Sequence, residues 1–173
     1  MIKAYFFDWM CTLANASERK NVREFVKDDG HVSMLMNRFN DANIPEEHRA
    51  LVFSLLNNAE HKLYPESRFV IDRLRPNYKL AVISNIYDIS LQKIKEYFPD
   101  FLEKFDVLTW SCEVKMKKPN PQIFLYTCEK VGVKPEEVIM IGDKSDKDVE
   151  PANKIGIQGR LVNRLCQTLE DVI

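Results

Sequence analysis

The stretch "KAYFFDWMCTLAN", Lys3 to Asn15, runs four apolar residues, Ala4 to Phe7, straight into the carboxylate of Asp8 and then turns apolar again. A strand that is apolar throughout has both faces covered, the mark of a parallel sheet packed between helices. A carboxylate at the end of such a strand stands where open parallel sheets take their ligands. That place lies beyond the carboxyl ends of the strands, near the point at which strand order reverses.

Four further runs of the same character follow: Leu80 to Ile83, Val107 to Trp110, Val138 to Ile141 and Arg160 to Val162. Helix-period segments lie between them. Asp88 is placed to cap a helix carrying Leu91, Ile94 and Phe98, and Pro121 opens another carrying Phe124, Thr127, Cys128 and Val131. This alternation predicts right-handed crossovers and an α/β fold, a doubly wound, Rossmann-like parallel sheet. Between the first two strands the pattern changes. From Leu13 to about Tyr64 no strand stands out. Val32, Leu35, Met36 and Phe39 follow one helix face, and Val52, Leu55, Leu56, Ala59 and Leu63 follow another after Pro45. The expected organisation is an α/β core from residues 1–13 and 65–173, with a small all-helical cap inserted at 14–64.

Composition excludes several classes. With 45% hydrophobic and 29% charged residues the chain is globular rather than disordered. A formal charge of -1, with basic and acidic residues interspersed, gives no surface for nucleic acid. No run approaches the roughly 18 apolar residues of a membrane span. The first residues enter a strand without a signal core, so no targeting segment is expected. Cys11, Cys112, Cys128 and Cys166 are scattered and form no CxxC pair, which predicts reduced thiols and a cytoplasmic location. His31, His48 and His61 lack metal-ligand spacing and are expected at the surface. Five glycines, none in a GxGxxG after the first strand, argue against a dinucleotide site.

The strand ends gather polar residues. Asp8 follows the first strand, Ser84 and Asn85 the second, Lys118 lies after the third, and Gly142 and Asp143 follow the fourth. Each type suits phosphoryl transfer. A carboxylate such as Asp8 can attack phosphorus and split one hard displacement into two easier ones. Because an anion then approaches an anion, cations and donors must neutralise the developing charge, and Lys118, the Ser84 hydroxyl and the Asn85 amide offer this. Asp143 and Asp148, with Asp8, present the hard oxygens that magnesium prefers. Lys118 is favoured over Lys115 and Lys117 because it directly precedes Pro119. Asp146 competes with Asp148.

Four segments in order, "FFDWMCTL" (Phe6 to Leu13), "LAVISN" (Leu80 to Asn85), "KKPNPQIF" (Lys117 to Phe124) and "VIMIGDKSDKD" (Val138 to Asp148), resemble the motifs of haloacid dehalogenase-like (HAD) hydrolases. "IGIQGRLVNR" (Ile155 to Arg164) resembles that superfamily's last strand. The resemblance implies a magnesium-dependent phosphatase acting on a small phosphorylated molecule. It makes Asp8 the nucleophile, Ser84 and Asn85 contacts of the phosphoryl group, and Lys118 its stabiliser. Magnesium would be held by Asp8, the backbone carbonyl of Met10, Asp143 and Asp148.

One departure matters most. Phosphatases of this superfamily carry a second aspartate two residues after the nucleophile, to protonate the leaving group and later activate water; here that residue is Met10. Losing a positioned acid/base removes about 10²- to 10⁴-fold in rate. Cys11 in place of the usual Gly is a smaller departure. Three readings follow. The first is a phosphatase that is slow, selective for good leaving groups, or served by a proton donor from the substrate or from the cap, where Arg19, Lys20, Arg23, Lys27 and His31 lie. The second is a carbon-centred hydrolase of dehalogenase or phosphonatase type, whose members also lack that aspartate. The third is a binding protein switched by a persistent phosphate on Asp8.

Overall fold

The structure is a computed structural model and describes residues 1–16, 54, 57 and 59–173. Its strands are β1 (Ala4–Phe7), β2 (Ala14–Ala16), β3 (His61–Leu63), β4 (Lys79–Ser84), β5 (Val107–Trp110), β6 (Val138–Gly142) and β7 (Gln158–Leu161). Five of them form a parallel sheet in the order β5-β4-β1-β6-β7, and β2 and β3 form a separate two-stranded sheet. The chain divides into two compact units, Met1–Asn15 with Lys62–Ile173, and Ala16–His61. The expected helical cap, with its apolar faces and its cationic candidates, lies outside the described residues except at its ends.

At those ends the expectation of helix fails, since β2 and β3 are extended. The spacing of four from Ala59 predicts a helix face for Leu63. A spacing of four satisfies a strand's period of two equally well, so the pattern could not separate the alternatives. His61, expected at the surface, is buried.

Strand parity divides the apolar residues between two layers. Tyr5, Phe7, Leu80, Val82, Ile139 and Ile141 face one side, where Val70 and Ile71 of the helix Ser67–Leu74 and Leu91 and Ile94 of the helix Asp88–Tyr97 cover them. Ala4, Phe6, Ala81, Ile83, Val138 and Met140 face the other, under Ile123, Phe124 and Cys128 of the helix Pro121–Val131 and under Ala152. Both faces are covered, which is the doubly wound arrangement that the continuous apolar strands predicted. Truncating one of the fully buried rings, Phe6 or Phe7, would cost about 3–5 kcal/mol.

Local signals explain most boundaries. Asn120 caps Pro121–Val131, its side chain accepting from the Gln122 N–H at 2.9 Å, and Gly132 ends that helix with φ 77. Asp88 is the first helical residue rather than the cap, which falls on Tyr87 and makes no side-chain cap bond. An acid in the first turn supports a helix through its charge, so the cue located the helix but not the role. The last strand begins two residues before the expected Arg160–Val162. Gly159 lets it pass close to the neighbouring backbone, since a Cβ there would lie 2.7 Å from the Val149 carbonyl oxygen. Gln158 and Gly159 carry no apolar signal, so composition could not mark them.

The chain runs β1, β4, β5 to one side and returns to β6 and β7 on the other. β1 is therefore central, and the reversal of strand order lies beside it.

Candidate active site

Asp8 is positioned by two opposite demands on one short stretch. Its N–H donates to the Ile141 carbonyl at 2.9 Å, which extends the β1 ladder by one step. Trp9, fully buried, packs among Phe98, Phe101 and Trp110 with ring centroids 5.8–6.0 Å away. The large indole anchors the chain in one apolar layer immediately after the carboxylate. The chain then folds back on itself, with the Trp9 carbonyl accepting from the N–H groups of Leu13 at 3.0 Å and Ala14 at 2.9 Å. Cys11 at the corner has φ 58, in the left-handed region that favours glycine, at a cost of about 1–2 kcal/mol to a residue with a Cβ. Cysteine for glycine here is a strained substitution rather than a minor one.

Lys118 reaches this carboxylate from the far side of the sequence. Its Nζ lies 2.8 Å from Asp8 Oδ1 and 2.5 Å from Asp148 Oδ1, with Lys118, Asp8 and Asp148 all buried. Lys115 and Lys117 are exposed. Asp148 is turned inward by the π-helical turn Ser145–Val149, and its Oδ2 accepts from the Lys144 N–H at 3.0 Å, whereas Asp146 is exposed. One carboxylate oxygen from each of Asp8, Asp143 and Asp148 can be chosen so that all lie within 4.8 Å of one another. Lys144 Nζ stands 3.5 Å from Asp143 Oδ2.

Burial on its own would discharge Lys118, but the charges of Asp8 and Asp148 and their hydrogen bonds outweigh it, and its affinity for the proton ends above that of an ordinary lysine. Asp148 is shifted the other way for a carboxylate. Burial first, and the Asp8 charge second, raise it above the usual range against the pull of Lys118. Two carboxylates, Asp8 and Asp148, therefore meet one buried ammonium, and a third, Asp143, lies beside them near the partly exposed Lys144. Such an excess of hard anionic oxygen fits a divalent cation.

Ser84 ends β4 and is 1% exposed, and its Oγ has no hydrogen-bond partner among the described residues. An orphaned buried hydroxyl at the same end of the sheet fits an anionic oxygen not supplied by the protein. The Asn85 side chain is engaged with the Lys118 backbone, its Oδ1 with the N–H and its Nδ2 with the carbonyl. Met10 has a backbone bridge to Ala14, and its partly buried side chain packs against the apolar layer that holds Trp9.

Two residues of this neighbourhood carried no signal in the sequence reading. Arg164 donates to the Thr12 carbonyl and to Glu66, and its guanidinium lies 3.9 Å from the Tyr64 ring centroid, so it ties the turn after Asp8 to the C-terminal segment. Ser67 ties the same turn to the helix it begins, its Oγ donating to the Leu13 carbonyl at 2.7 Å. A lone Arg or Ser has no periodicity, and only three-dimensional proximity could have revealed them.

A central carboxylate, a lysine and two further aspartates thus meet at the carboxyl end of a doubly wound α/β sheet. The chain belongs to the haloacid dehalogenase-like hydrolase family, whose model matches residues 2–156. It is 32% identical over 122 residues to a phosphoserine phosphatase of Thermus thermophilus, covering 69% of this chain and 49% of that protein. With a phosphoglycolate phosphatase of Aquifex aeolicus the identity is 32% over 104 residues, 58% of this chain and 46% of the relative. This chain thus spans about half the length of these curated relatives. A HAD family enzyme from Bacteroides thetaiotaomicron, crystallised with magnesium and inorganic phosphate, has the same fold with a TM-score of 0.72 and 21% identity, over 96% of this chain and 100% of that one.

Proposed function

We propose that this chain is a magnesium-dependent phosphatase that acts on a small phosphorylated molecule through an aspartyl phosphate on Asp8, and that it favours substrates with good leaving groups. The observation that carries the reading is the buried Asp8–Lys118–Asp148 chain of contacts at 2.8 and 2.5 Å, with Asp143 beside it. Phosphatase relatives support the reaction class.

In this reading an Asp8 oxygen attacks phosphorus and the leaving oxygen departs with the electron pair of its P–O bond. Lys118 offsets the charge on the transferred group, and the Ser84 hydroxyl donates to one of its oxygens. Asp8, Asp143, Asp148 and the carbonyl of Met10 would hold magnesium, which when bound supplies positive charge to the phosphoryl oxygens. Water then attacks the aspartyl phosphate and restores the carboxylate. Met10 offers no proton to the departing oxygen and no base for the water. Aryl or acyl phosphates, whose leaving groups need no proton, should therefore turn over faster than alkyl phosphates.

The apolar packing of Met10 also favours a second reading, carbon-centred hydrolysis of the dehalogenase type, which needs no metal. A third outcome is accumulation of phosphorylated Asp8 as a lasting switch. The deciding experiment is release of phosphate from an aryl phosphate with and without magnesium, beside halide release from a 2-haloacid and mass measurement of the protein. Magnesium-dependent turnover supports the phosphatase. Halide release without metal, or a single turnover that leaves a stable phosphoprotein, would overturn it. We place the protein in the cytoplasm on its cysteine pattern, four scattered residues with no CxxC pair, which suits a reducing compartment.

A further inference from the structure

We propose that Asn85 is a positioning residue for Lys118, a two-point clamp on its backbone, rather than a contact of the phosphoryl group. Its kinetic consequences rest on the phosphatase reading above. Lys118 lies in neither helix nor strand, and its neighbours Lys117 and Pro119 are exposed. A lysine is a point charge on a flexible four-carbon stem, so little in the side chain itself dictates where the ammonium stands. Yet that ammonium must meet two carboxylates at 2.8 and 2.5 Å.

Asn85 supplies the missing constraint. Its Oδ1 accepts from the Lys118 N–H at 2.8 Å, and its Nδ2 donates to the Lys118 carbonyl at 2.8 Å. Both main-chain polar groups of the lysine are satisfied by one side chain. A carboxamide places a donor and an acceptor side by side to match the C=O and N–H that flank one Cα in this way, and Gln would carry it one methylene too far. Asn85 directly follows β4, which is hydrogen-bonded to β1 on one side and β5 on the other. The clamp thus passes the rigidity of the sheet centre to a loop residue. Its neighbour Ser84, whose buried Oγ has no hydrogen-bond partner among the described residues, is left to meet the substrate. Two adjacent residues would then divide the work, one holding the lysine and the other touching the anion.

The test is a double-mutant cycle in the full chain, with an aryl phosphate and saturating magnesium. Asn85→Asp is isosteric, keeps the acceptor and loses the donor to Lys118. It should lower kcat by about 10- to 10²-fold, the scale of a misplaced catalytic group. Added to Lys118→Met, it should cause less than about twofold further loss, because a residue acting through the lysine has nothing left to position. Losses that multiply would show that Asn85 acts on the substrate directly and would overturn the proposal.

A second readout is independent of turnover and of metal. Lys118, 4% exposed, should resist an amine-acylating reagent in the wild type. In Asn85→Asp it should be acylated at a rate approaching that of Lys117, read by peptide mass. Equal protection in both proteins would overturn the clamp. A wild type without phosphate turnover would defeat the phosphatase reading and leave acylation to decide this one.

Discussion

Gly142 and Asp148 occupy adjoining space so tightly that a Cβ on the glycine would fall on the Cβ and Cγ of the aspartate. The residue that ends β6 is thus what allows the following π-helical turn to fold its carboxylate back toward Lys118. Gly142→Ala should destabilise the protein by about 1–3 kcal/mol, the usual cost of overpacking, and abolish turnover by displacing Asp148. Urea unfolding and aryl phosphate hydrolysis check both halves. A variant as active as the wild type would contradict the role given to Asp148.

Met10→Asp should raise kcat by about 10²- to 10⁴-fold if a proton donor is the part that is missing. The gain should be larger for an alkyl than for an aryl phosphate, since the poorer leaving group depends more on protonation. Steady-state rates on one substrate of each kind separate this from a general improvement in folding.

Magnesium should raise the thermal midpoint. A cation that binds only the folded site stabilises it by mass action, about 2.7 kcal/mol at a hundredfold excess over Kd. Asp143→Asn removes one of the three clustered carboxylates and should abolish most of that shift, whereas Asp146→Asn, on an exposed side chain, should keep it. Scanning fluorimetry with magnesium and with a chelator distinguishes the two.

Glu66 makes stability depend on acidity. Burial raises its carboxyl, but the Arg164 hydrogen bond, with backbone donors, prevails and holds it below its ordinary 4.5. The folded form therefore binds the proton less tightly than the unfolded one, and its contribution is complete above about pH 4.5 and lost as pH falls through the lower folded value. Glu66→Gln should flatten the pH dependence of the urea midpoint in that acidic window while lowering stability at neutral pH. An unchanged acid limb would show that the Arg164 pair is not what the acid disrupts.

The core was legible because parallel strands covered on both faces write themselves as continuous apolar runs. Ala4–Phe7 and Val107–Trp110 were readable to the residue. Lys118 could be preferred over its neighbours through its proline, and burial now separates it from Lys115 and Lys117 on physical grounds. What stayed hidden depended on three-dimensional encounter. The Asn85 amide could be read as a ligand of substrate, but nothing in its type reveals that it faces a backbone 33 residues away. Nor does an arginine near the end of the chain announce that it braces a turn near the beginning. β2 and β3 were missed because three-residue strands are too short for any periodicity to register.

The central place of β1 has a bearing on how the site comes together. Asp8 is separated by 110 positions from the ammonium that touches it, and β6, which pairs with β1 on one flank, lies further along the chain again. No contiguous piece of the polypeptide holds the cluster. Its assembly therefore reports on long-range docking of the sheet rather than on the formation of any single element.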